Sequence, residues 1–432
     1  MHRLRSTVRT SLALMSATAM VLALAACAGG GSSQAGSKVT SITVWHGYTD
    51  FEATEIRKLA AEWNSAHPTE QVNLLFDGGN DSALQKTIAG FTAGTAPDVA
   101  YEYGSSAATL ARQPKLVDLS AKVKDPAFNW NDFFPAEREA SSVNGKVVGV
   151  PALVDNLSLV YNKALFAKAH LAPPTKDWTW ADFRTASAAL TDPKTKNYGW
   201  AYVNDGSEDT VWRYLAMLWQ AGGNLLNADN TAPVFDSPAG LAALEQLRQM
   251  VVVDKSVYLD TGNQNYLNLF NSGKIAMLWT GPWDLSSINA DVKYGVTLLP
   301  GDNGDHETIS GPDLYLLFKH TSARDTTAWQ FVSWLTSAPI HLQFAVATGD
   351  LPIRQSETKL PDYAKFLAKY PGDKVFVENL NNVKHVRPNI PAYNEISTAL
   401  GQMIQSVLLG KTPPQKALDS ARDQVVSALS GS

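Results

Sequence analysis

The sequence predicts an α/β protein of two lobes, each a mainly parallel sheet flanked by helices. Three observations lead there. At 432 residues the chain is too long for one ordinary core. Short apolar strands alternate with helical spacing through residues 41–101. A second alternation of the same kind fills the middle third, from Leu157 to Pro312. Hydrophobic residues make up 45% and charged residues 18%, the balance of a folded protein and not of a disordered one.

Arg3, Arg5 and Arg9 precede an apolar run from Leu12 to Ala26, the layout of a secretory signal over residues 1–26. The run is short for a membrane span. It ends Leu24-Ala25-Ala26-Cys27, which resembles a bacterial lipoprotein cleavage box, with Cys27 the thiol that takes a lipid. From there to residue 40 the chain reads as a flexible tether, rich in Gly and Ser. Cys27 is the single cysteine, so no disulfide and no thiolate metal site is possible. Beyond residue 26 the chain carries 33 basic against 41 acidic residues. That surplus argues against nucleic acid or an anionic membrane surface as main partner.

Ser41–Trp45 is a short alternating strand, His46–Asp50 its exit loop, and Phe51–Ser65 a helix by the spacing of Ile56, Leu59, Ala60 and Trp63. Gln71–Phe76 is a second strand, Asp77–Asp81 its loop, and a helix follows through Phe91. A third strand starts at Pro97–Tyr101. In parallel sheets ligands gather outside the carboxyl ends of strands, so the loops at His46, Asp77 and Glu102 converge on one rim. The stretch Gly149–Lys163 reads GVPALVDNLSLVYNK. Pro151 favours a sheet edge or a chain crossing, and Leu157–Tyr161 is a strand. Asp155 and Asn156 between them are either turn and cap residues or ligand contacts.

Thr210–Gln220 is a helix bearing Trp212, Tyr214 and Trp219, closed by Gly222-Gly223. Ser237–Val251 is another, with Pro238 in its first turn. A turn at Gly273-Lys274, an apolar strand and Gly281-Pro282-Trp283 come next. Ser310–Asp313 leads into the strand Leu314–Phe318, and Ala328–Leu335 is helical. Gly349–Arg354 precedes three more helices, Tyr363–Lys369, Glu395–Leu409 and Pro414–Leu429. No His-Glu-x-x-His, Gly-x-Gly-x-x-Gly or Gly-x-Ser-x-Gly word is present, and Gln405 stands where a phosphate loop ending Gly410-Lys411-Thr412 needs glycine. Glycosidase carboxylates have no fixed spacing, so a secreted glycoside hydrolase stays open as the enzymatic alternative.

The order of these words resembles the carbohydrate-binding proteins of bacterial ABC importers, the maltodextrin-binding and glycerol-phosphate-binding family. The match runs through Ala96–Val99, Leu116–Leu119, Gly149–Lys163, the Trp178–Phe183 helix start, Gly273–Trp283, Tyr294–Pro300 and Gly349–Arg354. The resemblance implies a periplasmic-binding-protein-like clamp with three hinge crossings. Lobe 1 would comprise 41–154 and 313–356, and lobe 2 would comprise 155–312 and 357–432. It implies a binder and no enzyme, without cofactor or metal. The protein would act as an extracytoplasmic monomer, held to the membrane through Cys27. Its partners would be a small carbohydrate and the permease subunits, with no nucleic acid.

For site residues the resemblance points first to Trp283, whose Gly-Pro-Trp word carries a ligand-stacking Trp in maltodextrin-binding relatives. Asp155 aligns with a ligand-binding carboxylate there, with Asn156 beside it. Trp212 falls near a stacking aromatic, and core burial is the alternative for it. His46, Tyr48 and Asp50 occupy the first strand-exit loop, and Asp313 borders the second crossing. Two departures stand out. Pro388–Pro391 resembles the word before a stacking Trp, yet Ser397 takes that Trp's place, leaving Tyr393 or Asn394 as substitutes. Glu102 stands near a second Trp position. The ligand is therefore expected to be a mono- or oligosaccharide, not maltodextrin in particular. The within-family rival is a glycerol phosphodiester, which would favour an Arg-rich cleft. The named loops instead supply Asp50, Asp77, Asp155 and Asp313, with Arg213, Arg354 and Arg387 the nearby cations. A structural lipoprotein without a ligand is the remaining alternative.

Overall fold

The computed structural model describes residues 39–431 apart from 263, 264 and 303. The signal segment, Cys27 and the tether as far as residue 38 lie outside the described residues.

Twelve strands follow in chain order. The first six are β1 (Thr40–His46), β2 (Glu70–Phe76), β3 (Val99–Tyr103), β4 (Ser142–Val143), β5 (Lys146–Val147) and β6 (Gly149–Leu153). Then come β7 (Ser158–Asn162), β8 (Tyr198–Val203), β9 (Val257–Asp260), β10 (Ile275–Thr280), β11 (Tyr294–Thr297) and β12 (Asp313–Leu317). They form two five-stranded sheets, ordered β2-β1-β3-β12-β6 and β11-β7-β10-β8-β9, with β4-β5 a small hairpin ladder. Each large sheet belongs to one lobe of a two-lobed α/β fold.

The pairing agrees with mainly parallel sheets, since four of the five strands in each share one direction and a single strand is reversed. β1 runs parallel to β2 and β3, and β8 runs parallel to β9 and β10. β12 is antiparallel to β3 and β6, and β7 is antiparallel to β10 and β11. The physical reason lies in how strands arrive. A helical crossover on one face returns the chain in the same direction. Strands β7 and β12 instead enter directly from the opposite lobe, so nothing obliges them to run parallel. Pro151 sits in β6, at the sheet edge, where its missing N–H breaks no ladder.

The helix Asp50–Ala66 buries Ile56, Leu59, Ala60 and Trp63, the stripe its spacing foretold. In the second lobe, Tyr393–Leu408 packs on Glu208–Gln220 and Pro414–Gly431 around a core that includes Tyr214, Ile396, Leu400 and Leu418. The hinge is stitched from three segments. Asn156 bridges to Ser310, and the Ser310 hydroxyl donates to Asp155 O at 3.0 Å. Thr308 Oγ1 donates to Leu157 O at 2.7 Å. From the C-terminal part of the chain, Asn379 Nδ2 reaches Leu157 O and Ser158 Oγ, at 2.9 and 3.0 Å. These bonds hold backbone that belongs to neither sheet, as buried polar groups require.

Candidate functional site

A cavity of 440 Å³ opens between the lobes, within the size range of small-molecule sites. Loop residues beyond β1, the side chains of Tyr101 and Tyr103 on β3, and Asp313 on β12 contribute from the first lobe. Glu208 and Trp212 on one helix and Trp283 and Asp284 after β10 contribute from the second. Asp155, Gly311 and Asp350 line the cavity from the connecting segments.

Trp283 is partly exposed, and its ring lies 5.8 Å from that of Trp212 with planes 40° apart. The pair presents an apolar wall of a kind suited to a sugar ring face. Trp283 depends on its neighbour for its position. A Cβ at Gly281 would lie 1.7 Å from the Trp283 ring, so glycine is required there. Gly311 serves Asp155 in the same way, since a Cβ would come within 2.3 Å of Asp155 Oδ1.

The carboxylates face one another across the hinge side. Asp313 accepts from the Tyr101 hydroxyl, and burial still pushes its carboxyl up to about 7. Asp350 is fully buried and pushed up to about 6 by that burial. Burial first, and the charge of Asp313 second, raise Asp155. Burial, then Asp350 and Asp313, raise Glu52. Across the cavity Arg387 donates to Glu208 Oε1 at 2.9 Å. Tyr393 donates its hydroxyl to the same oxygen at 2.8 Å, and Ser397 donates to Glu208 Oε2. Below them Arg213 bonds Asp209 and Trp279 O, and Thr280 and Tyr266 donate to Asp284 Oδ2. Asp284 is pushed up to about 6 by burial.

Of the residues singled out from sequence, Trp283, Trp212, Asp155, Asp50 and Asp313 line the cavity. The others lie elsewhere. Asn156 is fully buried, donating to Phe376 O at 2.8 Å and accepting from Asn379 as a hinge tie. His46 is buried, and burial lowers its imidazole to about 4. Tyr48 is buried with its hydroxyl 2.8 Å from that of Tyr315. Glu102 is buried under Thr87, whose hydroxyl donates to it at 2.6 Å. Tyr393 stands behind Glu208, and Asn394 donates to Thr109 Oγ1 at 3.3 Å, joining the lobes. Arg354 stacks over Phe133, 3.8 Å from the ring centroid, and donates to Phe128 O and Asn129 O within the first lobe. Sequence reasoning missed Glu52, Tyr101, Glu208, Asp209, Tyr266, Asp284 and Asp350.

The raised carboxyls predict a pH response of the apo-protein. A carboxyl whose folded pKa is raised binds its proton more tightly when folded. Its contribution is favourable below the unfolded value and is lost as pH rises through the folded one. For Asp313 that window runs from 3.8 to about 7. His46 acts oppositely, because holding it neutral loses stability as pH falls below 6.5. Urea midpoints at pH 5, 6, 7 and 8 for the natural chain and Asp313→Asn isolate the carboxyl. Asp313→Asn is expected to gain stability relative to the natural chain as pH rises. An unchanged difference across the series would show that Asp313 titrates normally.

Residues 50–340 match the family of bacterial extracellular solute-binding proteins. The chain belongs to that family. This solute-binding protein is 25% identical to the sn-glycerol-3-phosphate-binding periplasmic protein UgpB of Pectobacterium atrosepticum, covering 92% of this chain and 93% of UgpB. Among solved structures it superposes on an ABC transporter solute-binding protein of Thermotoga lettingae bound with alpha-D-tagatose. There the TM-score is 0.81 and identity 26%, over 90% of this chain and 99% of the other. The cyclic alpha-maltosyl-1,6-maltose binding protein of Arthrobacter globiformis gives a TM-score of 0.76 at 27% identity, over 91% of this chain and 100% of the other. The protein is thus the extracytoplasmic solute-binding component of an ABC importer, working with permease components. Among the described residues no helix is long and apolar enough to cross a membrane.

Proposed function

We propose that this solute-binding protein captures a mono- or oligosaccharide between its lobes, closes on it and delivers it chemically unchanged to the permease. The observation that carries this reading is the make-up of the cavity wall. Eight carboxylate side chains and one guanidinium, Arg387, line it beside the Trp212–Trp283 pair. Carboxylates accept strongly from sugar hydroxyls, and aromatic faces cover the apolar side of the ring. A glycerol phosphodiester would meet a wall of its own charge, with the one arginine already bonded to Glu208. A second cavity of 800 Å³ meets the first at Phe51 and Ser286, leaving room for further sugar units. The ligands of the tagatose-bound and cyclomaltosyl-maltose-binding neighbours point the same way. The lobe limits we adopt are 41–154 with 313–356, and 155–312 with 357–432. Monomeric action is part of the same reading.

Titrating intrinsic Trp fluorescence across a panel of sugars and glycerol phosphodiesters tests it. Saturable binding of at least one sugar is expected, at micromolar affinity or about −8 kcal/mol. The bound sugar should be recovered intact after prolonged incubation. Binding confined to phosphodiesters, or steady release of shorter sugars, would overturn the proposal.

Anchoring through a lipid on Cys27 is a further part of the reading, supported by the Leu24–Cys27 box. Cys27→Ala should leave the precursor unlipidated and unprocessed, checked by mass spectrometry and membrane fractionation. An unchanged mature species would remove the anchor.

A further inference from the structure

We propose that the ligand bears a protonated amine, as in an amino sugar, and that the ammonium sits among Glu52, Asp155, Asp313 and Asp350 at the hinge side of the cleft. This rests on the saccharide reading and sharpens its ligand class.

Four of the wall's eight carboxylates have the partners described above. Glu208 has Arg387, Asp209 has Arg213, Asp284 has two hydroxyls, and Asp313 has that of Tyr101. Asp155 Oδ1 has no hydrogen-bond partner, nor has either carboxylate oxygen of Asp350. Asp350 is fully buried, and the Thr348 hydroxyl beside it, which donates to Phe344 O, only partly relieves its carboxyl. An unpartnered buried carboxylate is costly, and protein structures rarely keep one without use. Three such oxygens, on two residues that line one cavity with Glu52 and Asp313, describe a hole for a compact cation.

Chemistry narrows the choice of cation. Among the described residues no group of three or more His, Cys, Asp or Glu is arranged to hold a metal ion. An ammonium asks for less order: it is a point charge with three donors that need no fixed coordination polyhedron. A sugar hydroxyl offers one donor and no charge, so it gives the buried carboxyls no reason to ionise. Arg387 faces Asp155 and Asp313 but is spent on Glu208. The remaining ionisable groups around the cluster are Tyr48, Tyr101 and Tyr315 of the first lobe, Glu137 toward Asp155, and His341 toward Asp350. The tyrosines and Glu137 carry no positive charge, and His341 Nδ1 is engaged by Glu357 at 3.0 Å.

An arriving ammonium favours the ionised carboxylates, so binding should expel protons that burial holds on them. Below the amine's own titration range, affinity should therefore rise with pH, and it should fall with added salt.

Calorimetry on the mature chain tests this with glucosamine oligomers of two to four units, their N-acetylated counterparts, maltodextrins of equal length and glycerophosphocholine. The free-amine series is expected to bind at least tenfold more tightly than either matched series. Repeating the titration at pH 6, where the free amine is protonated, in buffers of different ionisation enthalpy should show net proton release for the amine series alone. Asp350→Asn should remove most of the preference, and Glu52→Gln provides a second variant should Asp350→Asn fail to fold. Equal or tighter binding of the N-acetylated or neutral oligomers would overturn the amine while leaving the saccharide reading intact. Binding of glycerophosphocholine alone would overturn both. A free-amine series that does not bind at all also rejects the ammonium site.

Discussion

Arg387→Met should be the most damaging single change near the cleft, lowering apo stability by about 3 kcal/mol and weakening ligand binding as well. Breaking a buried ion pair by removing one partner typically costs about 3–5 kcal/mol, because the surviving charge is left desolvated. The lower end applies here, since the Glu208 side chain retains 16% exposure against 6% for Arg387. Burial by itself would make the guanidinium easier to deprotonate, but Glu208 more than offsets it. Arg387 also holds down the carboxyls of Asp155, Asp313 and Glu137, so its loss is felt across the hinge. Two comparisons make the result specific. Adding Glu208→Gln to Arg387→Met should restore much of the loss, because the stranded charge disappears. The deficit of Arg387→Met should also shrink as pH falls toward 5, where the neighbouring carboxyls take up protons. A double variant no better than the single, with a deficit flat in pH, would mean Arg387 acts through packing of its stem alone.

The sequence made the long elements legible, and the resemblance placed five cavity residues. What it could not show was which side of the backbone each residue takes. On β3, Tyr101 and Tyr103 line the cavity while Glu102 between them turns to Thr87. A strand alternates its faces with period two, so an error of one position moves a side chain from the ligand to the interior. The loop after β1 behaves similarly, with Gly47 and Thr49 on the wall and His46 and Tyr48 beneath it. Asp155 and Asn156 divide in the same way between cleft and hinge. Glu208, Asp350 and Arg387 had no local signature at all. Their role comes from tertiary packing, which brings residues some 180 positions apart, Glu208 and Arg387, within bonding distance. Ser397 is instructive, because a hydroxyl at the place of an expected stacking Trp fastens Glu208 instead. The one reversed strand in each mainly parallel sheet, β7 or β12, was not legible, because its direction is set by an inter-lobe connection that carries no periodicity of its own.

Trp283→Ala should weaken sugar binding ten- to a hundredfold while leaving apo stability nearly unchanged. Truncating a well-packed aromatic anchor commonly costs about 2 kcal/mol or more of binding, which is roughly thirtyfold. Stability should suffer little because Trp283 is only partly buried in the absence of ligand. Trp212 offers the contrast within the same aromatic pair. It is 6% exposed and packed into the second lobe's core, so Trp212→Ala should lose about 3–5 kcal/mol of stability along with affinity. Gly281→Ala separates position from presence. The indole remains, but a methyl group would occupy space now held by the Trp283 ring, which must swing away. Affinity should then fall nearly as far as in Trp283→Ala, with an altered fluorescence change on titration. Calorimetry with a bound sugar and apo urea midpoints for the three variants decide the matter. Unchanged affinity in Trp283→Ala with a much lower midpoint would return this ring to the scaffold. Normal binding by Gly281→Ala would show that the ring's exact placement is not what the sugar reads.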